Sequence, residues 1–284
     1  TGRVIERIEA FCDKWEDVLN DFHPNIKNFL CDIDRTKPSV TKGLVKCHKN
    51  PREDGWHDIR LLLSACNTPI KPASKLFQFS IAHIFPKLTS KMKDTKAILL
   101  KILNINTIFN DGLPPSAVNV GCDVFKLYPS VDNDMGLKAV KDNLEMYPNP
   151  DGLPIDFILE LGAICVEENS CEFKEKFYCP NTGTATGPPH ACDYVDIFMG
   201  ELDKVVVEKL SEKEVDAKDW TLYRDDGGLL ALSGLEDVPV IEDILQNLHP
   251  NIRWEVNARG PGVPHQVKPD GTVVDMSVLN HLDL

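Results

Sequence analysis

The 284 residues include 42 % hydrophobic and 26 % charged side chains, the mix of a globular protein with a sizeable core rather than a fibrous or disordered one. The longest apolar stretches, such as residues 97–100, fall far short of the ~20 residues a spanning helix needs, and no charged start precedes an apolar run, so neither a membrane anchor nor a signal peptide is expected. The net charge of −13 is unevenly spread: residues 1–100 carry 17 Lys and Arg against 12 Asp and Glu, whereas residues 101–284 carry 14 against 32.

Val4, Ile5, Ile8, Phe11, Cys12, Trp15, Val18 and Leu19 recur at helical spacing and predict a helix over 4–19. Residues 36–58 read as irregular and basic, broken by Pro38, Gly43, Pro51 and Gly55. Amphipathic helices are predicted over 74–85 and 94–109, and Asn110-Asp111-Gly112-Leu113-Pro114-Pro115 reads as a connector. From Ala117 the pattern changes, and 118–124 reads as a buried strand ending beside an acid. Helices follow over 134–147 and 154–166. Residues 172–178 read as one strand of a hairpin closed by Pro180-Asn181-Thr182-Gly183. A long helix spans 188–210, with proline in its first turn, where the missing N–H does no harm. Strands at 220–223 and 229–232 flank Arg224-Asp225-Asp226-Gly227-Gly228 and predict a β-hairpin. A helix over 238–248 and a strand over 252–256 complete the order. That succession points to an α+β fold, an antiparallel sheet with helices on one face.

The basic excess is densest between Arg35 and Lys96, where 13 positive residues face 4 acidic ones. This reads either as a polyanion-binding lobe joined to an acidic one or as solvated faces of opposite sign. Nine cysteines are scattered without a CxxC pair. They predict neither a zinc site nor a disulfide framework, but mostly buried or half-buried thiols in a reducing compartment.

Three places can carry chemistry. In Tyr223-Arg224-Asp225-Asp226 two adjacent acids sit at a hairpin turn. Adjacent carboxylates repel unless a cation stands between them, and Mg2+ is the natural one; an ordinary Asp-rich turn is the alternative. Asp123 lies at the exit of the apolar strand and reads as a metal ligand or as a helix cap. Carboxylates on separate strands are what a two-metal phosphoryl transfer requires. The stretch Asn181 to Pro189 is a Gly/Thr loop opening a long helix, either a close-approach surface for a base or sugar or a plain turn.

Taken in this order, the three resemble the palm of a reverse transcriptase, and in particular the Penelope-like retroelement enzymes, relatives of the telomerase catalytic subunit. The resemblance covers some four-fifths of the chain, from about Gly43 onward. Gly43-Leu44-Val45-Lys46-Cys47-His48-Lys49 resembles that group's Leu-Pro-Lys-Ile-His-Lys signature, with Val45 in place of proline. Asp58-Ile59-Arg60-Leu61-Leu62-Leu63-Ser64 is similar to its Leu-Arg-Pro-Ile-Val-Ser segment without the proline. Asp123 through Val131 resembles the first catalytic motif, Gly183-Thr184-Ala185-Thr186-Gly187 the Gly-Thr-Ala-Met-Gly loop, and Tyr223 to Asp226 the Tyr-x-Asp-Asp box. Leu248-His249-Pro250-Asn251-Ile252 and His281-Leu282-Asp283-Leu284 are similar to stretches leading into the primer grip. The two glycines after Asp226 depart from the pattern, since apolar residues are usual there, and imply a looser hairpin turn.

The resemblance implies a right-hand polymerase core of fingers and palm. Residues 1–116 would form a basic, fingers-like region and 117–284 the palm, with the two sets of segments free to interleave and no thumb. It implies an RNA-directed DNA polymerase that adds dNTPs to a primer 3′-OH. Asp123 and Asp225 would be principal metal ligands, Asp226 a supporting one, and the Val124 carbonyl a backbone ligand. Lys46 and Arg60 would hold the incoming triphosphate, Tyr128 would act as a steric gate against a ribose 2′-OH, and Gly187 would line the template base or sugar. The implied cofactor is Mg2+, with Mn2+ as a substitute. The implied partners are an RNA template, a DNA primer and dNTPs, with no membrane, in an intracellular and specifically nuclear setting. The rival expectation is an inactive or domesticated relative that binds nucleic acid without polymerising. A chain opening on Thr1 is also what a segment of a longer polyprotein would show.

Overall fold

The structure, a computed structural model, describes residues 2–31, 37–47, 54–109, 112–180, 182–260, 262–264, 266–267, 273–274 and 276. Arg35, Thr36, His48, Lys49, Pro51, Asn110, Asp111, Asn181 and the stretch 281–284 lie outside the described residues. The first half of the chain runs α1 (Gly2–Lys14), α2 (Glu16–Phe22), α3 (Ile26–Leu30), β1 (Ser39–Val45), β2 (Ile59–Ser64), α4 (Ile70–Ile81), α5 (Thr95–Ile108), β3 (Val118–Val124), α6 (Leu127–Ser130) and α7 (Asn133–Met146). It continues through α8 (Ile155–Glu167), β4 (Cys171–Phe173), β5 (Lys176–Tyr178), α9 (Ala191–Glu212), β6 (Ala217–Tyr223), β7 (Asp226–Ala231), α10 (Val238–Gln246), β8 (Trp254–Arg259), β9 (Gln266–Val267) and β10 (Val273–Val274). Among the described residues no helix is long and apolar enough to cross a membrane.

The chain divides into two interleaved units. One comprises residues 1–87 and 128–198, the other residues 88–127 and 199–284. The division is discontinuous because strand pairing joins residues far apart in the chain.

In the first unit the predicted helix over 4–19 is two helices, α1 and α2, separated at Trp15. Their apolar stripe packs on α8, with the Phe11 and Phe157 rings 4.9 Å apart and Trp15 edge-on to Phe157 at 5.6 Å. Phe11 and Phe157 are fully buried, and each contributes about 1.5–3 kcal/mol of hydrophobic stabilisation. Arg7 ties the same helices together, donating at 2.8 Å to both Glu167 and the buried Glu168. Gly162 of α8 is a packing requirement, since a Cβ there would sit 2.8 Å from the Phe77 ring of α4.

The sheet of this unit has strand order β2-β1-β4-β5. Residues 39–45 are therefore not irregular, as the sequence reading has them, but a strand antiparallel to β2 and parallel to β4. Gly43 is no breaker: a Cβ there would lie 2.9 Å from the Ile59 methyl group. A second correction concerns 172–178, which is not one strand but a complete hairpin, β4–β5. The chain reverses at Lys174-Glu175, both in the left-handed region at φ +50° and +61°, the conformation of a two-residue primed turn. Neither residue is the Asn or Gly that normally announces such a turn.

The second unit is built on a four-stranded antiparallel sheet of order β6-β7-β3-β8. Strand β3 is the centre, and its burial alternates along its length. Val118, Val120, Cys122 and Val124 face the core, while Asn119, Gly121 and Asp123 are half-exposed. Trp254, opposite Val124, and Trp220 belong to the buried side, with ring centroids 6.3 Å apart. Helix α9 reaches this layer through the buried Asp203, which accepts from the Trp220 indole N–H and from the Ser90 backbone N–H. Helix α10 adds Ile241, Ile244 and Leu245 to the core, and its Gln246 donates to the Trp254 carbonyl at 2.6 Å.

The cysteines are all free thiols. Cys12, Cys122, Cys165 and Cys171 are buried and Cys31 and Cys192 half-buried, while Cys47, Cys66 and Cys179 are exposed.

Candidate active site

Three acids share the outward face of the second unit's sheet. Asp226, the first residue of β7, is directly opposite Asp123 of β3, and Glu255 of β8 is opposite Asp123 on the other side. Tyr223 of β6 faces Asp226. Directly opposed residues point the same way with Cβ atoms about 4.5–5.5 Å apart, so Tyr223, Asp226, Asp123 and Glu255 form one row across all four strands. Asp225 occupies the turn, and its carbonyl accepts the Val124 N–H at 2.9 Å. This backbone bond pins the hairpin to the end of β3.

The turn is tighter than the two glycines imply. Only Arg224 and Asp225 lie between β6 and β7, with Arg224 at φ +55°. A non-glycine residue held there stores roughly 1–3 kcal/mol of strain, a cost that clusters at functional sites. Gly227 and Gly228 are inside β7 and correct the looser-turn expectation. A Cβ on Gly227 would lie 3.0 Å from the Trp220 ring. Gly228 pairs with Gly121, and both fall two residues from the acids on the same face. Two facing glycines leave bare backbone beside the carboxylates, room for a ligand to approach.

Behind the row, burial pushes the Cys122 thiol up to about 12, so it is a packing group, not a nucleophile. Among the described residues no three His, Cys, Asp or Glu side chains converge as a ready-made metal cage. The donors on this face are carboxylate oxygens, the hard type that Mg2+ and Mn2+ take.

The other four predicted residues lie in the first unit. Arg60 of β2 is opposite Leu44. The Lys46 N–H donates to the Asp58 carbonyl at 2.8 Å and extends the ladder past Val45. That register sets Lys46 and Arg60 diagonally on one face, with Lys42 two positions further along.

Gly187 closes against the same strand. The Thr186 carbonyl accepts the Leu63 N–H at 2.8 Å, and Gly187 adopts φ +130° so close to β2 that a Cβ would sit 2.2 Å from the Leu63 carbonyl oxygen. At the other end of the loop, Gly183 at φ +77° abuts Pro129, 2.6 Å from where its Cβ would be. The Thr184 N–H donates to the Tyr128 carbonyl at 2.9 Å. One short loop thus ties together the strand bearing Arg60 and the segment bearing Tyr128.

Three participants escape sequence reasoning. Glu255 is visible only through its pairing with Asp123, although the alternation of Trp254, Glu255 and Val256 marks it as outward-facing. His190, fully buried, lies 2.8 Å through Nδ1 from the Ser74 hydroxyl of α4. Burial drives its imidazole down to about 3, so it stays neutral and anchors the entry of α9. Cys192, two residues along, touches the Tyr128 hydroxyl.

No known family profile matches the chain, and no curated protein does. Solved structures do. The chain is similar to the telomerase of Candida albicans, solved with a TWJ fragment of telomeric RNA, at 11 % identity over 87 % of this chain and 48 % of that one, with a TM-score of 0.57. It is similar to an apo telomerase of Candida tropicalis truncated from its C-terminal domain, at 12 % identity over 91 % and 57 %, TM-score 0.57. It is also similar to the RNA-dependent RNA polymerase of a human picobirnavirus lacking its insertion loop, at 13 % identity over 78 % and 42 %, TM-score 0.52. The chain spans about half the length of these proteins. The likeness shows the fold: α+β, with the right-hand architecture that the telomerases and the viral RNA polymerase share.

Proposed function

We propose that this chain is the fingers-and-palm core of an RNA-directed DNA polymerase of the Penelope-like group, which adds dNTPs to a primer 3′-OH. The observation that carries the reading is the opposition of Asp123 and Asp226 across adjacent strands, with Asp225 in the turn pinned to Val124. In the reaction a bond forms between the primer 3′-oxygen and the α-phosphorus, the bond to pyrophosphate breaks, and the hydroxyl proton leaves to solvent. Asp123, Asp225, Asp226 and the Val124 carbonyl are the residues that would hold Mg2+, or Mn2+ in its place. Divalent ions so held make the 3′-oxygen more acidic and neutralise charge on the departing pyrophosphate.

The remaining roles belong to the chain itself. Lys46 and Arg60 grip the triphosphate, the arginine through its bidentate fork. Gly187 lets backbone approach the template base or sugar, and the Tyr128 ring excludes a ribose 2′-OH. The basic span from Arg35 to Lys96 draws in nucleotide and template by counterion release. An RNA template, a DNA primer and a nuclear setting complete the proposal.

The direct test is extension of a labelled DNA primer annealed to RNA, with dNTPs and Mg2+. Lengthening is expected. Duplex binding without lengthening would favour the rival reading of a relative that binds nucleic acid but does not polymerise. The likeness to a viral RNA polymerase supplies a second rival, ribonucleotide synthesis. Tyr128→Ala should admit rNTPs that the unaltered protein rejects, raising their incorporation about tenfold or more, the scale of a lost steric contact of 1–3 kcal/mol. An alanine protein that excludes rNTPs as well as before would remove Tyr128 from the gate.

Acids opposed across strands repel one another, so an ion held between them stabilises the folded state. At a concentration tenfold above its dissociation constant, Mg2+ should add ~1.4 kcal/mol and raise the melting temperature accordingly. A melting curve indifferent to Mg2+ up to ~10 mM would count against the assigned ligands.

A further inference from the structure

We propose that Cys192 is a positioning residue that holds the Tyr128 ring and thereby sets how strictly a ribose is excluded; the inference rests on reading Tyr128 as the sugar gate. A steric gate discriminates only as well as its ring is held. Discrimination by shape alone is worth little when the blocking group can swing aside, so something must restrict the two side-chain torsions of this tyrosine.

The structure restrains Tyr128 at both ends. At the backbone, its carbonyl accepts the Thr184 N–H at 2.9 Å, and the Gly183 N–H bonds the Val131 carbonyl at 3.1 Å. The next residue, Pro129, is wedged against Gly183. At the far end, the Tyr128 hydroxyl lies 3.4 Å from Cys192 Sγ. The half-buried ring is thus held at its backbone and at its hydroxyl.

The thiol is a suitable anchor because its own support is rigid. Cys192 is the second residue of α9, directly after Ala191, which is 1 % exposed. The preceding His190 donates its N–H to the Ser74 hydroxyl at 3.2 Å, and its ring packs 5.6 Å from Phe77 and 6.3 Å from Tyr194. Asn133 donates to the Gly183 carbonyl at 3.0 Å and accepts from the Tyr194 hydroxyl, so α7, α9 and the loop are joined around the gate. A thiol is a weak hydrogen-bonding partner, which makes the expected effect modest and graded.

The test is equilibrium binding of a dNTP and its matching rNTP to the protein on a chain-terminated primer–template, so no turnover is needed. Cys192→Ala and Tyr128→Phe should each lower the dNTP-to-rNTP affinity ratio by about 2- to 10-fold, the worth of one hydrogen bond. The double variant should be no worse than either single one, because both delete the same contact. Cys192→Ser should keep the ratio within twofold of the original, a rescue that a merely space-filling role would not give. Tyr128→Ala serves as the separate check on the gate. If it collapses the ratio while Cys192→Ala and Tyr128→Phe leave it unchanged, the positioning role is overturned and the gate stands. An unchanged ratio in Tyr128→Ala, or no preference in the unaltered protein, overturns the gate and the positioning role together. Should Cys192→Ala fail to fold, Tyr128→Phe and Cys192→Ser decide the question by themselves.

Discussion

Replacing Asp225 by alanine should abolish primer extension while leaving the fold intact. The Asp225 side chain is half-exposed in a two-residue turn, and its structural contact, the bond from the Val124 N–H, is made by a backbone carbonyl that alanine retains. The loss of an ion-holding carboxylate removes several kcal/mol of charge stabilisation. At 1.36 kcal/mol per decade, this is about a thousandfold or more in rate. Asp123→Asn should be equally inactive while melting close to the unaltered protein, because asparagine keeps the side chain's size and the pairing of β3 with β7 and β8. Loss of activity without loss of stability marks a group kept for function rather than folding. Single-turnover extension measured beside thermal melting checks both halves. Extension within tenfold of the unaltered protein in Asp225→Ala would end the assignment of this hairpin.

Gly187→Ala should cost the fold heavily for a single methyl group. Two effects add at this position. The backbone is at φ +130°, which an L side chain adopts only with strain, and the new Cβ would lie 2.2 Å from the Leu63 carbonyl oxygen. That neighbour is backbone in a paired strand, not a flexible side chain, so it moves only if β2 or the loop moves. Strain and overpacking together cost about 2–4 kcal/mol, a fall of about 5–15 °C in melting temperature for a chain of this size. Hydrogen exchange gives a local readout, since the Leu63 amide bonds the Thr186 carbonyl and should lose protection. Gly121→Ala is the control: the nearest atom to its Cβ would be the Asn257 carbonyl oxygen at 3.9 Å, so it should fold and melt almost unchanged. Equal melting temperatures for Gly187→Ala and the unaltered protein would show that the loop is not docked on β2.

What could be read from the amino acids alone was whatever repeats over a few residues. Helices α7, α8, α9 and α10 and strand β3 were legible because each buries one face, and burial of one face imprints a 3.6- or 2-residue period on the chain. The candidate acids were legible for a related reason: Asp123 beside an apolar strand and Asp225-Asp226 beside a hairpin break their local patterns in a way burial does not explain. Strand β1 was not legible, because Leu44 and Val45 lie exposed on opposite faces and print no alternation. It is a strand by virtue of its partners β2 and β4. The Lys174-Glu175 turn was hidden for want of a glycine, and the glycines of β7 misled because they serve the Trp220 ring and Gly121 rather than a turn. Likewise, no local pattern distinguishes Asp225 from Asp226. Only the pairing of β7 with β3 puts Asp226 opposite Asp123, adds Glu255 from β8, and leaves Asp225 in the turn. Composition and local pattern establish which groups are available and on which elements they ride. Tertiary structure alone decided which of them face one another, because strand register and loop docking are set by contacts between residues a hundred positions apart, which leave no period in the chain to read.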